Sequence, residues 1–157
     1  GVIFFTEQVE ELIPSKNGRK HVVSIIERIL TYEPKNTGTN IARALQYLNR
    51  IEKKRSVVFL ISDFLDDGYQ KELRASARRH DLICIRVADR AEERIPAGAI
   101  FTFEDLETGV TYVLDNLKQE LQIDPLGGQA QPNLITIHTD EDYVKPLKQF
   151  FRSRIRQ

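Results

Sequence analysis

The run Val57-Val58-Phe59-Leu60-Ile61 constrains this chain more than any other feature. Five apolar residues without polar alternation suit a strand covered on both faces, as the strands of a parallel sheet are. A parallel sheet needs helices to carry the chain back across it, and the flanking sequence supplies them. Val22, Ile25, Ile26, Ile29 and Leu30 fall at helical spacing and predict a helix over 19–32 with one buried stripe. Ile41, Ala44, Leu45, Leu48 and Ile51 predict a second helix over about 40–53. A third is expected over about 69–79, with Asp66 or Asp67 as its cap. Residues 82–87 read as a further buried strand, and 99–103 with 111–114 as a hairpin about Glu107-Thr108-Gly109. Residues 134–137 read as a last strand, followed by an amphipathic helix that begins near Asp142 and accommodates Pro146. At the front, 2–5 is a strand with 8–13 as its hairpin arm. The alternation predicts an α/β fold with a largely parallel sheet, residues 57–61 at its centre.

A chain that is 41% hydrophobic and 29% charged can bury one ordinary core, so the 157 residues are read as a single globular domain. Lys+Arg and Asp+Glu are both 23, which leaves no net field to draw in nucleic acid or an anionic membrane. Lys145, Lys148, Arg152, Arg154 and Arg156 form a basic concentration on the last helix, read as a solvated face, with docking to an acidic partner beside Phe150 and Phe151 as the alternative. No apolar stretch reaches the ~18 residues of a membrane span, and the start lacks a signal-peptide layout. The lone Cys84 sits in an apolar run and has no second cysteine to pair with. These features predict a cytoplasmic protein with no nucleic acid partner and no membrane insertion. The sequence contains no methionine and opens on strand-like residues, from which part of the domain is expected to lie upstream of Gly1.

In doubly wound sheets, ligands bind where loops leave the carboxyl ends of the strands. Asp63 directly follows the most apolar strand, Thr37-Gly38-Thr39-Asn40 precedes the second helix, and Asp89 follows the strand over 82–87. Carboxylate and hydroxyl oxygens of this kind suit magnesium or manganese. Plainer roles exist for each: Thr39 as a helix N-cap, Asp66 and Asp67 as capping carboxylates, Asp89 as an ion-pair partner of Arg90 and Arg94. His21, His80 and His138 form no cluster with a nucleophile at recognisable spacing, and no catalysis is assigned to them.

The segment Gly38-Thr39-Asn40-Ile41-Ala42-Arg43-Ala44-Leu45, followed by Ile61-Ser62-Asp63-Phe64, resembles the second and third loops of the metal-ion-dependent adhesion site in von Willebrand factor A (vWA) domains. A closer resemblance is to an uncharacterised bacterial group with a vWA-like domain, domain-of-unknown-function family fifty-eight. It is carried by Phe4-Phe5-Thr6, Ile13-Pro14, Gly18-Arg19, Gly38-Thr39, Ser62-Asp63-Phe64, Ala77-Arg78-Arg79-His80-Asp81, Glu107-Thr108-Gly109 and Thr139-Asp140-Glu141-Asp142-Tyr143. Members of that family carry a longer helical segment before the last strand, where this chain has only 118–132.

The resemblance implies a Rossmann-like, three-layer α/β/α sheet of vWA type over 1–157, incomplete at the N-terminus. It implies Thr39 and Asp63 as metal ligands, with Gly38, Asn40, Phe64, Asp66 and Asp89 on the partner-binding surface. Magnesium or manganese is expected in the full-length protein. Tight binding by this chain is not, because the defining Asp-x-Ser-x-Ser loop is absent from the sequence. The implied function is a non-enzymatic protein-protein interaction module working with a MoxR-type AAA+ ATPase. The alternative is a magnesium-dependent phosphoryl-transfer or hydrolase enzyme using Asp63. Against it, Asp63-Phe64-Leu65 lacks a second aspartate two residues on, and no P-loop or Gly-x-Ser-x-Gly sequence occurs. In the vWA arrangement the strand bearing the first metal loop lies in mid-sheet, so 2–5 and 57–61 would face a gap and self-association is expected.

Overall fold

The computed structural model describes residues 1–89, 94–95, 99–104, 111–116, 121–122 and 133–155. They fall into two compact units, Gly1–Lys54 with Asp66–Arg79, and Arg55–Leu65 with the chain from His80 onward.

The first unit opens with β1 (Val2–Phe5) and β2 (Val9–Ile13), paired antiparallel across the short connection between them. The register runs from Val2 opposite Ile13 to Phe4 opposite Glu11, then shifts so that Phe5 faces Val9. Glu10 is therefore the extra residue of a β-bulge. Three helices follow: α1 (Arg19–Thr31), α2 (Ile41–Ile51) and α3 (Gln70–Arg79). Burial of Ile41, Ala44 and Leu45 on α2, and of Leu73 and Ser76 on α3, follows the helical period. The two helices pack together, with Asn49 Nδ2 donating to Ser76 Oγ at 2.7 Å.

The stripe on α1 forms the expected helix but is not buried among the described residues. Leu30 is 79% exposed, and Val22, Ile26 and Ile29 are exposed as well. What ties α1 to the hairpin is polar and aromatic: Arg28 forks onto Glu11 at 2.6 Å, and Tyr32 just beyond the helix stacks on Phe4 with centroids 4.2 Å apart.

The second unit contains β3 (Val57–Ser62), β4 (Asp81–Ala88), β5 (Arg94–Ile95), β6 (Ala99–Glu104), β7 (Thr111–Asn116), β8 (Leu121–Gln122), β9 (Leu134–His138) and the helix α4 (Val144–Ile155). β3, β4 and β9 form a parallel sheet in that order, while β5 pairs with β8 and β6 with β7, both antiparallel. The expected hairpin is thus present, and its turn at Glu107-Thr108-Gly109 lies outside the described residues, as does Leu117.

Residues 57–61 were expected at the sheet centre, but β4 holds that place and β3 is at the described edge. β4 is accordingly the strand with four successive buried residues, Leu82, Ile83, Cys84 and Ile85. On β3 the period-2 pleat separates Leu60, 5% exposed, from Val57, Phe59 and Ile61 at 60%, 46% and 59%. The reason lies in where α4 sits. Leu147 and Phe150 pack on the Ile83, Ile85 and Ile135 cluster of β4 and β9, and Phe151 reaches Phe59 with centroids 6.0 Å apart. Asp142 Oδ1 accepts from Val144 N at 2.9 Å to start α4, and Pro146 falls in the first turn, where its missing N–H is not needed. Burial pushes the Cys84 thiol up to about 11, consistent with an unreactive core residue.

Candidate functional site

The loop over 32–40 delivers the first group of candidates, and its end is fixed at the amino terminus of α2. Asn40 is the N-cap, its side chain accepting from Arg43 N at 2.8 Å. Thr39, half-buried, lies one position outside the cap, so the capping role open to it from sequence falls to Asn40. Asn40 N donates to Thr6 O at 2.9 Å, and the Arg43 guanidinium reaches Glu7 O at 3.1 Å. Asp66 or Asp67 was expected to cap α3, and for Asp66 the structure shows another role. Its Oδ2 accepts from Ile41 N at 2.7 Å, and so it serves α2. An anionic carboxylate there also suits the positive pole of the helix. Gly38 takes φ 78, a left-handed conformation that glycine adopts without a Cβ penalty.

A residue the sequence reading passed over organises the other end of this loop. Glu10, turned out by the bulge, accepts from Thr6 Oγ1 at 2.9 Å, Asn36 N at 2.9 Å, Asn36 Nδ2 at 2.8 Å, Lys35 N at 2.9 Å and the Tyr32 hydroxyl. The Tyr32 hydroxyl and then the Lys35 amide hold its carboxyl down at about 2. Desolvation and then the bond to Glu10 push Tyr32 up to about 12. A glutamate in a strand is an ordinary residue in sequence, and the bulge that redirects it leaves no local signature.

In the second unit the chain leaves β3 through a tight turn. Ser62 Oγ accepts from Phe64 N at 3.1 Å, and Asp63 Oδ1 accepts from Leu65 N at 3.1 Å. These bonds support Phe64 at φ 63, a conformation costly for a residue with a Cβ, while its ring is fully buried. Asp63 itself is exposed. Because β3, β4 and β9 are parallel, Asp63, Asp89 and Thr139 leave the sheet at the same end, with Thr139 N donating to Ala88 O at 3.1 Å. The Thr139-Asp140-Glu141 turn was not among the expected site residues; only the pairing of β9 beside β4 places it there. Arg90 and the side chain of Arg94, the expected ion-pair partners of Asp89, lie outside the described residues.

The structure thus gathers Gly38, Thr39, Asn40 and Asp66 within one unit, and Asp63, Phe64 and Asp89 within the other. The hydroxyl and carboxylate donors suit a hard divalent cation in kind. Their number does not: among the described residues no group of three or more His, Cys, Asp or Glu could hold a metal ion. Each Asp66 oxygen accepts one backbone amide, Oδ2 from Ile41 N and Oδ1 from Asp67 N.

What the chain presents is a mixed α/β protein with a three-stranded parallel sheet and polar loops at strand and helix ends. Among the described residues, no helix is long and apolar enough to cross a membrane. Residues 1–124 match the family described as Protein of unknown function DUF58, and the chain belongs to that family. It is similar to Uncharacterized protein MAV169 of Mycobacterium avium, 28% identical over 159 residues, covering 92% of this chain and 94% of that protein. It is likewise 28% identical over 167 residues to Uncharacterized protein Rv1480 of Mycobacterium tuberculosis and to Uncharacterized protein Mb1516 of Mycobacterium bovis. In both cases 92% of this chain matches half, 50%, of the relative's length. No solved structure gives a significant match.

Proposed function

We propose that this chain is a non-enzymatic protein-binding module of vWA type, gripping a partner with the loops at its strand ends. The observation that carries the reading is the anchoring of residues 38–41 by Thr6, by Asp66 and by the Asn40 cap. A polar loop already held in one conformation loses little entropy on binding, which favours recognition. The parallel order of β3, β4 and β9, with Asp63 and Asp89 at one end, supports the Rossmann-like, three-layer vWA reading. Thr39 and Asp63 would each offer an oxygen donor to magnesium or manganese, with water among the remaining ligands. The partner suggested by the family resemblance is a MoxR-type AAA+ ATPase.

The test is co-purification of the full-length protein with a purified MoxR-type ATPase, with and without chelator, and after Thr39→Ala or Asp63→Ala. Capture lost under each of the three treatments is the expected result. Equal capture throughout would exclude both the loops and the cation from the interface.

A further inference from the structure

The loop that carries Thr39 is clamped twice, and the two clamps have different origins. The one at its end, Asn40 N on Thr6 O, is a backbone bond that survives changes of side chain. The one at its beginning depends on a single carboxylate. Every donor around Glu10 is an O–H or N–H, five in all, from Thr6, Tyr32, Lys35 and Asn36. A carboxylate accepts about four hydrogen bonds along its lone pairs, so this one is saturated, and no neutral side chain of the same shape offers as much acceptor capacity. A regular β-ladder at this position would pair Glu10 across the hairpin; the bulge opposite Phe5 takes it out of the ladder.

We infer that Glu10 is the positioning residue of the candidate site: the bulge aims its carboxylate at residues 32–36 so that Thr39, three residues further on, is presented in one conformation. The inference rests on the binding role proposed above for Thr39, and deepens it by naming what sets the loop. Glu10 touches no ligand in this scheme. It acts through the backbone of Lys35 and Asn36.

The experiment is backbone ¹⁵N relaxation and amide hydrogen exchange on this chain, comparing wild type with Glu10→Ala and Glu10→Gln. In Glu10→Ala, exchange at Lys35 and Asn36 should rise about tenfold or more, and the order parameter of Thr39 should fall from about 0.85 to below about 0.6, while Asn40, still held by Thr6 O, keeps its order. The amides of Ala44, Leu45 and Leu73 should keep their protection. Glu10→Gln should lie between, since its carbonyl can still accept from Thr6 and Asn36, and the Tyr32 hydroxyl can turn to accept from its amide. A uniform rise in exchange across both sets would show a merely global stabiliser and overturn the inference. Unchanged order at Thr39 in Glu10→Ala would overturn it as well.

Manganese alone, added to the same samples, separates this from the binding role. Paramagnetic broadening at Thr39 and Asn40 that disappears in Thr39→Ala and weakens in Glu10→Ala supports both. Broadening that ignores Thr39→Ala, or none in wild type, sinks the cation part of the proposed function, while relaxation still decides the case for Glu10.

Discussion

Replacing Leu60 by Asp tests whether β3 and its following turn have been assigned the right roles. Leu60 is 5% exposed and lies opposite Cys84 in the parallel pair, so the new carboxylate would enter a site with no place for charge. Loss of the buried aliphatic group costs about 2–5 kcal/mol by analogy with large-to-small core changes. An unpaired buried polar group adds roughly 1–3 kcal/mol, and more when ionised. Together these approach the whole stability of an ordinary domain, about 5–15 kcal/mol. Asp63→Ala, three residues away, removes from an exposed turn the acceptor for Leu65 N and a weak bond from Ser62 Oγ. That should cost about 0.5–1.5 kcal/mol. At roughly 2–4 °C per kcal/mol for a chain of this size, Leu60→Asp should lower the thermal midpoint by about 10 °C or more and Asp63→Ala by about 5 °C at most. Thermal and urea unfolding followed by circular dichroism at pH 7 are the assays. Leu60→Asn isolates the charge: its gap from Leu60→Asp should narrow toward pH 4 as the aspartate protonates. On the opposite face, Phe59→Asp should be milder, because Phe59 is 46% exposed. Equal losses for Leu60→Asp and Asp63→Ala would refute the placement of the strand and its loop.

Asn40→Ala should lower the unfolding free energy by about 1 kcal/mol through loss of the α2 cap, with Asn40→Asp close to wild type in the same urea titration. The stabilisation from Glu10 should be fully present above its unfolded value of 4.5 and fade as pH falls toward about 2, because the unfolded carboxyl takes up a proton first. Wild type and Glu10→Gln should therefore converge in stability toward pH 2, and a gap that persists there would contradict this origin. Calorimetric titration of this chain with magnesium should give no sub-micromolar affinity, since Thr39 and Asp63 offer two oxygens where the ion needs six ligands. Light scattering over a concentration series should show self-association: β3, at the described sheet edge, turns Val57, Phe59 and Ile61 outward without a lysine or proline to deter pairing. A strictly monomeric, folded species would contradict it.

Much of the local structure was legible in the residues. Helical spacing located α1, α2 and α3 within a few positions, and the apolar runs located β3, β4 and β9. Asp63 stood out for a local reason, as a carboxylate straight after a strand, whereas the cap read as Thr39 belongs to its neighbour Asn40. Where the reading went astray, the missing information was the identity of the neighbour. The period of α1 is the same whether its stripe is covered or exposed. Asp66 and Asn40 are 26 positions apart in number, and only the fold makes them serve one helix end.

The sequence by itself determined which segments become strands and helices, because pleat and helix periods are properties of consecutive residues. It also determined the residue types available at the loops. Tertiary structure alone decided that β4 rather than β3 is central among the described strands, since strand order depends on which backbone edges meet. It alone decided that Glu10 anchors the loop of Thr39. A hydrogen bond between residues 25 positions apart depends on the path of the chain between them, and one shifted register in the hairpin would point that carboxylate elsewhere.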